Sequence, residues 1–161
     1  MELISMTDKI QIANRFVGED QPVFIIAEAG VNHNGRIDLA IQLIDAAYDS
    51  GVDAVKFQTF KTEDLTTKQA KMAEYQIENV ENIENQFALI KSLELGYDAF
   101  VTLKEHCEKR GIMFLSTPHT LGAMEFLDPL VPAFKIGSGD LTNLPFLKML
   151  QRRIKTRIWK Q

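Results

Sequence analysis

The chain has 161 residues, 45% of them hydrophobic, and carries 18 Lys and Arg against 22 Asp and Glu, a net charge of −4. That balance suits one folded core and excludes the strongly basic surface of a nucleic-acid binder. The N-terminal MELISMTDKI lacks the apolar centre of a signal peptide and no apolar run reaches membrane-spanning length, so a cytoplasmic protein without a membrane is expected.

Residues 1–20 read as an N-terminal arm. Within it KIQIANRFV, 9–17, alternates weakly, with Ile10 and Ile12 on one face, as a short hairpin would. GEDQP is a turn. VFIIAE, 23–28, is a continuous apolar run, the pattern of a strand buried on both faces. AGVNHNG makes a loop. Ile37, Ala40, Ile41, Ile44, Ala47 and Tyr48 then recur at helical spacing up to Gly51.

The cycle repeats. VDAVKFQ, 52–58, is a second strand, and a long polar segment at about 60–85 follows. Ile83, Phe87 and Ile90 suggest a helix at its end. Phe100, Leu103 and Cys107 mark another, closed by Gly111. Cys107 is the one cysteine, so the chain has no internal disulfide, and it reads as a small core residue. IMFLS, 112–116, is a third strand; Ala123, Phe126 and Leu127 mark a short helix; PAFKI, 132–136, is a fourth strand; Asn143 caps a last helix holding Pro145 in its first turn. Alternating strands and helices predict an α/β fold with a parallel sheet, either open and doubly wound or part of an eightfold barrel. No GxGxxG follows the first strand, which weakens the dinucleotide-binding version. The last segment, QRRIKTRIWKQ, holds five Lys or Arg and no acid, and reads as a divergent basic tail, 151–161, rather than a strand.

Polar groups collect where the strands end: Glu28, Asn32, His33 and Asn34; Lys56, Gln58 and Thr59; Ser116, Thr117 and His119; Lys135, Ser138 and Asp140. In open sheets and barrels alike, chemistry sits at the C-terminal ends of parallel strands. Lys56 and Gln58 are two apart, so they share a face that Ala54 continues. Two strand lysines offset their desolvation by sharing anionic partners, either Glu28 or a bound phosphate or carboxylate. Gly137 and Gly139 suit a close backbone approach to a ligand, and Ser138 adds a hydroxyl. His33, His106 and His119 have no metal-ligand spacing; His33 reads as a cap of the next helix and His106 as a solvated mid-helix residue.

Taken in order, IIAEAGVNHNG, VKFQTF, KMAEYQ, FLSTP and PAFKIGSGD resemble the sialic acid synthase family over about residues 20–150. That resemblance implies an (β/α) TIM-barrel fold, of which 21–150 would form a partial domain with the first four βα units. The antifreeze-like C-terminal domain of the family would be absent and the chain a piece of a longer protein. It implies a carbon–carbon bond-forming transferase. Phosphoenolpyruvate condenses with N-acetylmannosamine or a related acylamino-hexose to a nonulosonic acid, and phosphate leaves. By the same resemblance Lys56, Gln58, Thr117, Lys135 and Ser138 bind phosphoenolpyruvate, Glu28 is the catalytic acid, and Tyr75 and Gln76 lie near the sugar. The family's manganese or magnesium is held by later histidines, so no metal ligand is expected in this chain, and the full-length relatives are expected to be homodimers. The competing expectations are an inactive half-barrel that at most binds phosphorylated anions, or another phosphoenolpyruvate-dependent sugar-acid aldolase.

Overall fold

The structure, a computed structural model, describes residues 9–70, 85–153 and 158–159. It opens with an antiparallel hairpin of β1 (Ile10–Ile12) and β2 (Arg15–Val17), in which Ile10 faces Val17 and Ile12 faces Arg15. Then follow β3 (Ile26–Gly30), α1 (Ile37–Asp49), β4 (Ala54–Thr59), α2 (Thr62–Leu65), α3 (Gln86–Leu93), α4 (Tyr97–Arg110), β5 (Met113–Pro118), α5 (Leu121–Leu127), β6 (Phe134–Lys135), α6 (Leu144–Arg153) and β7 (Ile158–Trp159). Strands β3, β4 and β5 form a parallel sheet in that order; β6 lies against β5 and pairs in parallel with β7. Among the described residues the sheet stays open and no barrel closes.

Local chemistry accounts for the helix ends. Asn85 and Thr120 cap α3 and α5 by accepting the amide N–H of Ala88 and Ala123. Asn143 Oδ1 accepts the N–H of Phe146, so the expected cap of the last helix is present. Gly111, at φ +82°, ends α4 in the left-handed conformation that favours glycine.

The sheet has two faces with different partners. Val55, Phe57 and Phe114 point to the helices and pack with Ile44, Phe100, Leu103 and Cys107. Each such large side chain, fully buried, contributes about 1.5–3 kcal/mol. Ala54, Leu115 and Ala133 point the other way and pack with Ile12 of the hairpin, with Val17 and Ile26 alongside. The period of two in the strands thus builds two cores, and the hairpin covers the N-terminal end of the helix-free face. An Arg15–Asp53 ion pair holds the hairpin to the start of β4, and Asp53 also accepts the Ile25 amide at 2.8 Å. Beside it, a cleft of about 910 Å³ opens at the strands' N-terminal ends, opposite the collected polar groups.

Three expectations change. The 23–28 run is not buried on both faces: Val23 is 79% and Ile25 50% exposed, because the run precedes and forms the edge of the described sheet. The basic end does supply strand: α6 continues through Arg153, and Ile158–Trp159 pairs with Phe134–Lys135. His106 is no free surface residue, since its Nε2 lies 2.8 Å from Asp45 Oδ1 and ties α4 to α1 beside the Arg110–Asp45 and Arg110–Asp49 pairs. Cys107 is buried, and burial pushes its thiol up to about 12, in keeping with a core residue. No described helix is long and apolar enough to cross a membrane.

Candidate functional site

The parallel register sets Glu28 beside Lys56 and Gln58 beside Thr117. Neighbours in register point to the same side, so all four occupy the helix-free face, above Ala54 and Leu115. On β6, Phe134 packs among the helices, and Ala133, just before the strand, packs with the hairpin. Lys135, next to Phe134 on the strand, therefore points away from the helices, the side on which Lys56 lies. Thr59 and Ser116, also collected at strand ends, point to the helices instead, where their hydroxyls bond at 2.7 Å.

Lys56 is 6% exposed and its ammonium is ion-paired with Glu28, whose side chain is 53% exposed. Gly30 follows at φ +54°, and a Cβ there would stand 3.4 Å from Glu28 Oε1 and 3.5 Å from Gln58 Nε2. The backbone conformation favours glycine, while the space would hold a Cβ in ordinary contact with both side chains. Lys135 is partly buried and makes no ion pair or hydrogen bond with a described residue. Thr117 is buried, while Ser138 is exposed and begins a short 3-10 turn, Ser138–Asp140. Asp140 accepts from the Asn143 side-chain amide at 3.2 Å. Neither Gly137 nor Gly139 has a positive φ, so the turn does not need them for conformation; a Cβ on Gly137 would enter the space between His119, Asp140 and Thr117.

His119, two residues past Thr117, belongs to this cluster. Its pKa lies below the usual histidine value: burial pushes it down, Asp140 and Glu28 push it up, and Lys56 and Lys135 push it down. Its imidazole is thus where charges from three strands and the 3-10 turn meet. His119 and Asp140 were legible only as strand-end polar residues; the spacing of two from Thr117 to His119, the period of one strand face, was the available signal. His33 lies elsewhere: it is 1% exposed, its ring centroid is 6.1 Å from that of Phe57 on the helix side, and Nδ1 accepts the Gly35 amide at 3.1 Å. It does not cap α1, which starts after Arg36 without a side-chain cap. Tyr75 and Gln76 lie outside the described residues.

Chemically, the helix-free face offers two ammonium groups, a carboxylate, an amide, hydroxyls and a partly buried imidazole at the C-terminal ends of the strands. That set suits a small polyanion. Among the described residues no three His, Cys, Asp or Glu side chains gather as a metal site requires.

Comparison with known proteins agrees with this architecture. The chain is 47% identical over 129 residues to an N,N'-diacetyllegionaminic acid synthase of Campylobacter jejuni, which covers 80% of this chain and 39% of that protein. It is 35% identical over 140 residues to the human N-acetylneuraminate-9-phosphate synthase, covering 86% and 39%. The crystal structure of an N-acetylneuraminic acid (sialic acid) synthetase from Leptospira borgpetersenii in complex with citrate is similar at a TM-score of 0.73 and 34% identity, over 90% of this chain and 46% of that one. The chain thus spans about two fifths of the length of the curated relatives it matches. Residues 43–158 match the NeuB family, into the β7 strand, and the chain belongs to that family.

Proposed function

We propose that this chain forms the phosphoenolpyruvate-binding part of a nonulosonic acid synthase. In that protein its strands would be staves of an (β/α) TIM barrel. The observation that carries the reading is the pair of lysines on one face at the C-terminal ends of parallel strands. Lys56 is already balanced by Glu28, whereas Lys135 has no anionic partner among the described residues. A partly buried ammonium of this kind is offset by a ligand anion.

In this reading Lys135 and Ser138 hold the phosphate, with Thr117 beside them. Gln58, next to Thr117 in register, lies toward the carboxylate. Glu28 stands at the other end of Lys56, where it stabilises positive charge at C2 or handles a proton as C3 bonds to the sugar aldehyde. The N-acetylmannosamine-type sugar would enter over Glu28, beside Tyr75 and Gln76. A manganese or magnesium ion would be held by residues other than the described ones. The full-length enzyme would be a cytoplasmic homodimeric transferase.

The test is calorimetric titration of the chain with phosphoenolpyruvate. Lys135→Ala removes one charge-assisted contact, about 1.5–3 kcal/mol, so affinity is expected to fall about ten- to a hundredfold with the fold intact by circular dichroism. Unchanged affinity in that variant rejects the assignment.

A further inference from the structure

His119 carries an observation that the proposed reaction leaves unused. Its Nε2 is buried and has no hydrogen-bond partner, although it is a strong polar group. A buried donor or acceptor without a partner costs about 1–3 kcal/mol, and native structures seldom leave one without a reason. The ring is fixed in place: the His119 amide donates to the Thr59 carbonyl at 3.1 Å, and the Phe60 ring meets the imidazole edge-on, with centroids 6.4 Å apart. Its Cε1 lies 3.7 Å from where a Gly137 Cβ would stand, so the ring sits against the start of the 3-10 turn, beside Thr117 and Asp140. The charged groups that face it are Glu28 from β3, Lys56 from β4, Lys135 from β6 and Asp140 from the turn. Two cations and two acids leave the imidazole without a decisive local charge, while burial pushes its pKa down.

We propose that His119 is a proton-linked contact for the anionic ligand of this site, with Nε2 donating to the ligand's phosphoryl or carboxyl oxygen as an imidazolium. The inference rests on the anion-site reading above. The linkage needs no other reactant. One proton from water bonds to the neutral imidazole as the anion enters, and no other bond changes. A dianion beside the ring favours the charged form, so ligand binding raises the imidazole's pKa from its depressed position. Affinity therefore grows as pH falls through the range in which the bound ring is protonated and the free ring is not. This makes His119 a ligand-contacting residue whose contribution is present on the acid side and lost on the alkaline side.

The experiment uses the chain with phosphoenolpyruvate as the probe. Histidine ring resonances are followed by NMR against pH, free and saturated, with His119→Phe assigning the signal. The bound ring is expected to titrate at higher pH than the free one. Calorimetry across the pH range in which the bound ring titrates should show affinity rising more steeply in the wild type than in His119→Phe, by one decade for each unit that binding raises the ring's pKa in the NMR titration. That comparison removes the ligand's own phosphate ionisation, which falls in the same range. His119→Gln, which keeps a donor but does not titrate, should bind with the pH dependence of His119→Phe. Binding with an unmoved His119 resonance overturns this inference and leaves the anion site standing. No binding by the wild type at any pH in that range overturns both, and places the failure in the proposed function.

Discussion

Lys56 is 6% exposed, and its nearest compensation is a glutamate that is itself half in water. Such a pair adds little to stability, because Glu28 is screened while Lys56 bears the desolvation. Replacing the lysine with an apolar side chain of similar length should then leave the fold unharmed. Lys56→Met is expected to change unfolding free energy by no more than about 1 kcal/mol, or to raise it, while reducing phosphoenolpyruvate affinity at least about tenfold. Glu28→Gln strands the ammonium, and solvent limits that loss to about 1–2 kcal/mol. Urea denaturation and calorimetry on both variants separate the roles. A large stability loss in Lys56→Met with normal binding would make the lysine structural.

At the scale of elements, the segment after β4 is anchored by Glu94, just past α3. Its carboxylate accepts from the Thr62 amide at 2.9 Å, the Thr62 hydroxyl at 2.7 Å and Lys61 at 3.0 Å, and Lys91 lies 3.0 Å away. The side chain is 8% exposed. Burial pushes its pKa up, yet the bonds from Thr62, Lys61 and Lys91 outweigh that and hold it at about 2, against an ordinary 4.5. The folded state therefore binds this proton more weakly than the unfolded chain. The stabilisation is complete above about pH 4.5 and is lost as pH falls toward about 2. Between pH 7 and pH 3 the wild type should lose about 2 kcal/mol more than Glu94→Gln, measured by urea denaturation at both pH values. Equal losses in the two proteins would remove Glu94 as the clamp. Lys61 also sits 4.8 Å from the Tyr97 ring centroid, and Tyr97 stacks on Phe126 at 4.2 Å, so the same clamp reaches α4 and α5.

For the whole molecule, the two cores are joined through the sheet, and the hairpin completes the smaller one. Ile12 is 4% exposed and packs with Ala54, Leu115 and Ala133 beneath the polar face that carries Lys56 and Gln58. Removing its side chain opens a cavity that the short hairpin fills poorly. Ile12→Ala is expected to cost about 2–4 kcal/mol by equilibrium unfolding and to speed amide exchange in β4 and β5. A loss below about 0.5 kcal/mol would mean the hairpin merely rests on the sheet.

The sequence by itself determined the alternation of strands and helices, the cap at Asn143, the stop at Gly111 and the common parity of Lys56 and Gln58. These are local properties, set by side-chain period and by backbone preferences within a few residues. The ordered motifs also carried the family. The tertiary structure alone decided which strand face the helices cover, and so separated Thr59 and Ser116 from Gln58 and Thr117. It alone joined His106 to Asp45, exposed Val23 and Ile25 at a sheet edge, and drew Ile158–Trp159 beside β6. It alone brought Glu28, Lys56, Lys135 and Asp140 around His119. The reason is the same in each case: burial, strand pairing and charge act between residues far apart in the chain, and local pattern carries no record of which distant groups will meet.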